Sequence, residues 1–393
     1  MSWRRKLLFT ALALVLAAVL LEGAARVVER VLPPLTVDYG LGFDAASRVF
    51  EPDPQRPGML RTKPSKLRHF VDQRFSARKA ADRIRVAVVG GSSVHYLDRE
   101  LRELAERLSE SRRDGRQVEV INAGGRSYGS HRLVLVVDEV LDADLDALVL
   151  YTGHNEFEEV EQLHLASPLQ SAFERRLSAS AFVRVLRDAV ARLRARGLER
   201  AHDQRLLATD PRPARAWRHP FTDADVQARR RAFEANLRTM VTHAQRRGVP
   251  VLLATIPSNL YRPAVPEAAF ERYAKAFELY DEGRYGEGAA LVASLLPETP
   301  GRHQSSRTEN DILRRLSREL ELPIADVEAA VTAAEPHGVP GERLFLDHCH
   351  LNTEGMRVWA HSVEGALRRL LDERPVSPAR DAGRGAGRAR APR

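Results

Sequence analysis

The order strand, helix, strand, helix, strand between residues 84 and 152 predicts an α/β protein built on a parallel sheet. Ile84 to Val89 reads Ile-Arg-Val-Ala-Val-Val and stops at Gly90-Gly91, and Val118 to Asn122 and Ala147 to Thr152 are two further apolar runs of strand length. Between them the spacing becomes helical, from about Asp98 to Arg112 with Leu101, Leu104 and Leu108 on one face, and again from Leu133 to Leu141. Parallel neighbours need a crossover, and a crossover helix must cover the sheet. The expectation is a three-layer αβα sandwich with a parallel sheet of about five strands.

The alternation pauses from about Glu158 to Asp225. That stretch is rich in Arg, carries no strand signal, and has helical spacing in its middle through Phe182, Val185, Leu186, Val190 and Leu193. A long helix from about Asp225 to Arg247 leads into a strand at Val249 to Thr255. The last units are a helix near Glu309 to Leu320, a strand at Ile324 to Val327 and a closing helix from Thr353 to Leu371. Residues 264–296, with Ala269, Tyr273, Phe277 and Tyr280 followed by Gly283, Tyr285 and Ala289, resemble one helix-turn-helix hairpin of tetratricopeptide type. A single such unit cannot bury its own face, so it is expected to pack on the main domain.

The ends carry the remaining organisation. Arg4, Arg5 and Lys6 precede a run from Leu7 to Leu21 in which Thr10 is the one polar residue. A full span takes about 20 residues, and Leu21, Ala24, Ala25, Val27, Val28 and Leu32 extend the apolar face. Gly23, Ala24 and Ala25 could serve as a cleavage site but form no clear A-x-A, so residues 1–32 are read as an uncleaved signal anchor, with a cleaved signal as the alternative. The basic cluster predicts the amino end inside and the rest of a single-pass protein outside the cell membrane. Residues 33–81, with Pro33, Pro34, Pro52, Pro54, Pro57 and Pro64, are expected to form an extended connector that docks through Phe70 and Phe75. The main domain covers residues 82–374, with the helical insertion at 158–225 and the hairpin at 264–296. The tail 375–393 is mostly Ala, Gly, Arg and Pro, a disordered composition.

Of 393 residues, 44% are hydrophobic and 29% charged, which supports a large core. The formal charge of +8 is concentrated at Arg4, Arg5 and Lys6 and in the tail, so the domain between is nearly neutral. It offers no basic stripe for nucleic acid. Cys349 is the single cysteine, so no intrachain disulfide can form.

In open parallel sheets the ligand site lies beyond the carboxyl ends of the strands. At those ends stand Gly90-Gly91-Ser92-Ser93, Asn122-Ala123-Gly124-Gly125-Arg126-Ser127 and Gly153-His154-Asn155-Glu156, and Asp347-His348-Cys349-His350 precedes the closing helix. Together they hold a hydroxyl, an imidazole, a carboxylate, a side-chain amide and backbone donors, the inventory for acyl transfer. Each segment alone reads more simply as a strand-to-helix turn or a helix cap. Val94 breaks the G-x-S-x-G pattern, and no Gly-Lys-Ser/Thr follows the glycines. His95, on the first turn of a helix, reads as a lining residue. His348, Cys349 and His350 are neighbours in an extended loop with no second pair at zinc spacing, so neither a metal nor any other cofactor is expected.

Taken in order, the four segments resemble the four blocks of the SGNH/GDSL hydrolase family, over about residues 83–157 and 230–371. The bacterial membrane-anchored branch, with Gly-His-Asn-Glu-Phe (153–157) and Cys-His-Leu-Asn (349–352), is the most similar. The resemblance implies an SGNH/flavodoxin-like sandwich and an ester hydrolase. In that reading Ser92 is the nucleophile, His350 the base and Asp347 its orienting carboxylate. The implied oxyanion donors are the backbone of Ser92 and the side chain of Asn155, with Ser127 where the family usually has glycine and Gly124 as a substitute. Glu156 stands where the family usually has Asp and is read as structural. The implied substrate is an acyl ester of an envelope or polysaccharide component. An O-acyltransferase acting on an extracellular polysaccharide would use the same residues, and a non-catalytic envelope scaffold is the third possibility. Protein partners are not legible.

Overall fold

Ile84, Val86 and Val88 alternate along the chain with Ala87 and Val89, and all five are buried. Successive strand residues point to opposite faces, so the first set enters one core and the second set the other. A strand buried on both faces belongs in the middle of a covered parallel sheet. The computed structural model, which describes residues 2–31, 48–163, 180–183, 185, 186, 189 and 220–372, has that arrangement.

The strand in question is β4 (Arg83–Gly90), preceded by three short strands, β1 (Phe50–Pro52), β2 (Met59–Thr62) and β3 (Arg74–Ser76). After β4 come α2 (Ser92–His95), α3 (Asp98–Glu110), β5 (Gln117–Gly124), α4 (Ser130–Val140), β6 (Ala147–Tyr151) and α5 (Glu156–Leu163). The second half holds α6 (Asp223–Arg246), β7 (Val251–Ala254), the hairpin α7 (Ala274–Asp281) and α8 (Tyr285–Leu295), then α9 (Arg307–Glu319), β8 (Ile324–Ala325), α10 (Val327–Ala334) and α11 (Thr353–Asp372). The helix before β1 is α1 (Trp3–Val31).

The main sheet has the order β5-β4-β6-β7-β8 with every pair parallel. Val86 lies opposite Val120 of β5 on one side and Ala147 of β6 on the other. Helices α4, α6 and α9 cover one face, through Leu133, Val137, Leu237, Met240 and Leu313. Helices α3, α10 and α11 cover the other, through Leu101, Leu104, Val331, Trp359 and Val363. The expected three layers and five strands are therefore present. The chain leaves β4 for β5 on one side and then crosses to β6 on the other. The switch point lies at the carboxyl end of β4, where Gly90-Gly91-Ser92 stands.

The connector reading of residues 33–81 needs correction over its described part. Residues 50–76 form an antiparallel sheet of order β1-β2-β3. The prolines punctuate these strands instead of preventing them: Pro52 ends β1, and Pro64 opens a short turn after β2. The Glu139 carboxylate of α4 accepts the backbone N–H groups of Val49 and Phe50, at 2.7 and 2.8 Å, and so ties the strap down. Phe75 meets Phe50 edge-on at 4.9 Å, and Phe70, 1% exposed, meets Tyr128 edge-on at 5.0 Å. Arg85, fully buried within β4, reaches Glu119, the Ala143 carbonyl and Ser76, so even its charge is paired.

The hairpin buries Tyr273, Ala276, Tyr280 and Val292 together with Val265 and Val339, and Tyr280 donates to the Leu260 carbonyl at 3.0 Å. Its apolar face is thus closed by loops of the main domain. Helix α1 is long and apolar enough to cross a membrane. Glu22 near its end accepts from Ser180 Oγ and the backbone N–H groups of Ala181 and Phe182, so it caps the short described helical piece of the insertion. Within the insertion, residues 164–179, 184, 187, 188 and 190–219, which include Val190 and Leu193, lie outside the described residues, as does the tail.

Phe70 links the strap to the loop after β5. Phe70→Ala is expected to lower unfolding free energy by about 3–5 kcal/mol, read from denaturant titration of the detergent-solubilised chain. A loss well below 1 kcal/mol would show that the strap is not part of the cooperative core.

Candidate active site

Ser92 opens α2 directly after the central strand. Gly90 and Gly91 make that possible, because a Cβ on Gly90 would lie 2.1 Å from the Tyr151 carbonyl oxygen and one on Gly91 2.6 Å from Asn155 Nδ2. The chain can therefore turn hard against the ends of the neighbouring strand and loop. Ser92 is 8% exposed, and its Oγ lies 2.7 Å from His350 Nε2, a residue 258 positions away in sequence. His350 Nδ1 lies 2.7 Å from Asp347 Oδ2. An ionised carboxylate can only accept, so Nδ1 carries the proton and Nε2 faces the serine hydroxyl as an acceptor.

The loop that delivers His350 is built by Asp347 itself. Its Oδ1 accepts the backbone N–H groups of Cys349 and His350 at 2.9 and 2.8 Å, a side-chain-closed turn. Burial works against the charge of Asp347, but the His350 hydrogen bond, the His350 charge and the Cys349 N–H outweigh it and hold the carboxyl well below its ordinary value. Asn352 then accepts from Glu354 and Gly355 N–H and starts α11. Tyr96 packs edge-on against the His350 ring at 5.0 Å. Beside them is a shallow groove lined by Ser93, Tyr96, Leu97, Tyr151, Leu351 and Met356 with His350.

The predicted oxyanion donors divide. Asn155 Nδ2 lies against Gly91 and donates one hydrogen to the Tyr128 carbonyl at 3.0 Å; an amide nitrogen has a second hydrogen to give. The backbone N–H groups of Ser92 and Ser127 have no acceptor among the described residues. Gly124 does not fit the substitute role. Its N–H is occupied by Asn122 Oδ1 at 3.0 Å, and its bare Cα packs against the backbone of His95. Asn122 also donates to the Val94 carbonyl, so Asn122 and Gly124 brace the helix that carries Ser92.

His95, His154 and Cys349 make no hydrogen bond to the Ser92 hydroxyl among the described residues. Burial, then the Arg126 charge, lowers His95 to about 4, and its ring packs edge-on against Tyr96. His154 Nδ1 accepts the Ser305 N–H at 3.1 Å, and burial followed by the His350 and His348 charges keeps it neutral. Cys349 is 4% exposed, and burial with the Asp347 charge pushes its thiol up. Asp347, Cys349 and His350 do offer three ligand-type atoms within 4.8 Å of one another. A thiol held protonated is a poor ligand, and the carboxylate and imidazole are already committed to each other and to Ser92.

Three residues of the neighbourhood carried no recognised signal: Tyr128, Arg132 and Glu159. Glu156 and Glu159 share one face of α5, three residues apart, and both carboxylates reach the amino end of α4. Glu156 accepts from the Ser130 N–H and hydroxyl, and Glu159 from the N–H groups of His131 and Arg132 and from Arg132 Nε. Acids paired with a helix amino terminus are favourable, and the Glu-x-x-Glu spacing was the available clue.

No protein-family model matches the chain, and no curated protein matches it. Among solved structures the chain is similar to a GDSL-like lipase from Bacteroides thetaiotaomicron, with 10% identity over 73% of this chain and 87% of that one and a TM-score of 0.37. It is also similar to an acetyl xylan esterase, with 16% identity, 72% and 100% coverage and a TM-score of 0.40. A third is an SGNH-hydrolase family esterase, with 14% identity, 73% and 95% coverage and a TM-score of 0.31.

Burial, then the Glu159 charge, raises Glu156 from 4.5 to about 8. A raised acid keeps its proton in the folded state after the unfolded chain has lost it. Its contribution to stability is therefore complete below pH 4.5 and lost as pH rises through about 8. Glu156→Gln is expected to shrink the fall in stability between about pH 5 and pH 8 by on the order of 2 kcal/mol, measured by thermal melts at both values. Equal pH slopes for both proteins would contradict the assignment.

Proposed function

We propose that the chain is a serine ester hydrolase of the SGNH/GDSL type that works outside the cytoplasm, is held at the cell membrane by α1, and cleaves small acyl esters of envelope or polysaccharide components. One observation carries the reading: a continuous hydrogen-bonded chain from Asp347 through His350 to Ser92, at the carboxyl edge of a parallel sheet. The four-block resemblance of the sequence supports the ester, and the narrowness of the groove beside His350 is in keeping with a small acyl group. The apolar helix with its basic flank supports the location.

In the proposed reaction Ser92 Oγ attacks the ester carbonyl carbon while His350 Nε2 takes its proton. Asp347 stays ionised and stabilises the imidazolium that forms. The carbonyl π electrons move to oxygen, and the N–H groups of Ser92 and Ser127 with the Asn155 amide receive the oxyanion. Collapse breaks the bond to the leaving alkoxide, which takes the proton from His350 and departs as the alcohol. Water then gives its proton to His350 and attacks the acyl-serine. The acid leaves, and the proton returns to Ser92 Oγ.

A fluorophosphonate probe is expected to label Ser92, located by peptide mapping, and Ser92→Ala is expected to remove both label and hydrolysis of p-nitrophenyl acetate. Asn155→Ala should lower kcat by about 10²–10³-fold. Label on another serine, or hydrolysis that survives Ser92→Ala, would defeat the proposal. Extraction of the chain from membranes by alkaline carbonate would defeat the anchor.

A further inference from the structure

Ser127 has φ 63°, in the left-handed region where a residue with a side chain is strained. Such a conformation persists only when its surroundings over-determine it. What surrounds it is a buried charge. The Ser127 carbonyl accepts a hydrogen bond from Arg132 Nη2. Arg132 is fully buried; its Nε donates to Glu159 Oε1 at 2.7 Å, and its guanidinium stacks over the Tyr128 ring at 4.5 Å. Glu159 is also fully buried and is fixed in turn by the N–H groups of His131 and Arg132, at 3.0 and 3.1 Å. The next residue, Tyr128, offers its carbonyl to Asn155 Nδ2 at 3.0 Å.

A buried ion pair adds little to stability compared with an apolar pair of the same shape, so its value here lies in the geometry it imposes. A guanidinium forks: one arm meets the carboxylate and another the Ser127 carbonyl, which a single-point cation cannot do in the same way. On the strength of the functional reading above, we propose that Arg132, oriented by Glu159, is a positioning residue. It holds Ser127 in its left-handed turn, so that the Ser127 N–H joins the Ser92 N–H and the Asn155 amide around the oxyanion. The arginine itself touches no reacting atom.

The test uses the full-length chain in detergent with p-nitrophenyl acetate as substrate. Arg132→Met is expected to lower kcat about 10²-fold while KM changes little, the pattern of a lost transition-state contact. Adding Ser127→Gly should restore at least about tenfold of that loss, because glycine adopts the left-handed turn without penalty. An arginine that merely stabilises the fold predicts otherwise: melting temperature and activity fall together, and the glycine restores nothing. Arg132→Lys, which keeps the charge but not the fork, provides the same comparison if the methionine variant does not fold, with a smaller loss that Ser127→Gly again relieves. Full kcat in the arginine variants, or a loss the glycine leaves untouched, overturns the proposal while the functional reading stands, provided the wild type is labelled at Ser92. A wild-type chain that neither hydrolyses the ester nor takes the label overturns both.

Discussion

The structure depends on one strand being covered on both faces and bonded on both edges. β4 takes β5 on one side and β6 on the other, with its alternate residues split between two cores. A parallel strand so placed must leave the sheet at its carboxyl end, and there is no room for a side chain as it leaves: Gly90 meets the Tyr151 carbonyl and Gly91 meets Asn155. The same crowding that demands two glycines brings the following serine, the amide of Asn155 and the loop after β5 into one place. The site is a consequence of how the central strand ends.

The acidic groups around that point do different work because their surroundings differ. Asp347 is partly exposed and receives two backbone N–H groups as well as the imidazole, so its charge is favoured despite burial. Glu156 is enclosed beside a second carboxylate, so its proton is retained to higher pH. One acid holds an imidazole from a solvent-touching loop; the other clamps the start of a helix from the interior. Neither role follows from residue type alone, since both are carboxylates beside hydrogen-bond donors.

Much of the fold was legible because its long elements have strong periods. The strands around Ile84, Val118 and Ala147 and the helices bearing Leu101, Leu237 and Trp359 stand within a few residues of the positions that spacing predicts. The antiparallel strap over residues 50–76 was not legible. Its strands are only three or four residues long, too short for a two-residue alternation to rise above the prolines between them. Arg85 illustrates a second limit: a charged residue inside a strand pattern gives no sign of which distant groups will pair with it, here Glu119, Ala143 and Ser76.

By itself the sequence determined the layer architecture and the order of four polar segments at the strand ends, since both follow from hydrophobic period and from where glycine, asparagine and histidine interrupt it. It also settled the apolar helix with a basic flank. Tertiary structure alone decided which donors remain available. The Gly124 N–H is consumed by Asn122, whereas those of Ser92 and Ser127 have no acceptor among the described residues. It likewise set Ser127 in a left-handed turn under a buried Arg132–Glu159 pair. Asn122 is only two residues from Gly124 and Arg132 five from Ser127, but whether these groups meet depends on the folded path of the chain and on Glu159, 27 residues from Arg132, and no local pattern encodes that.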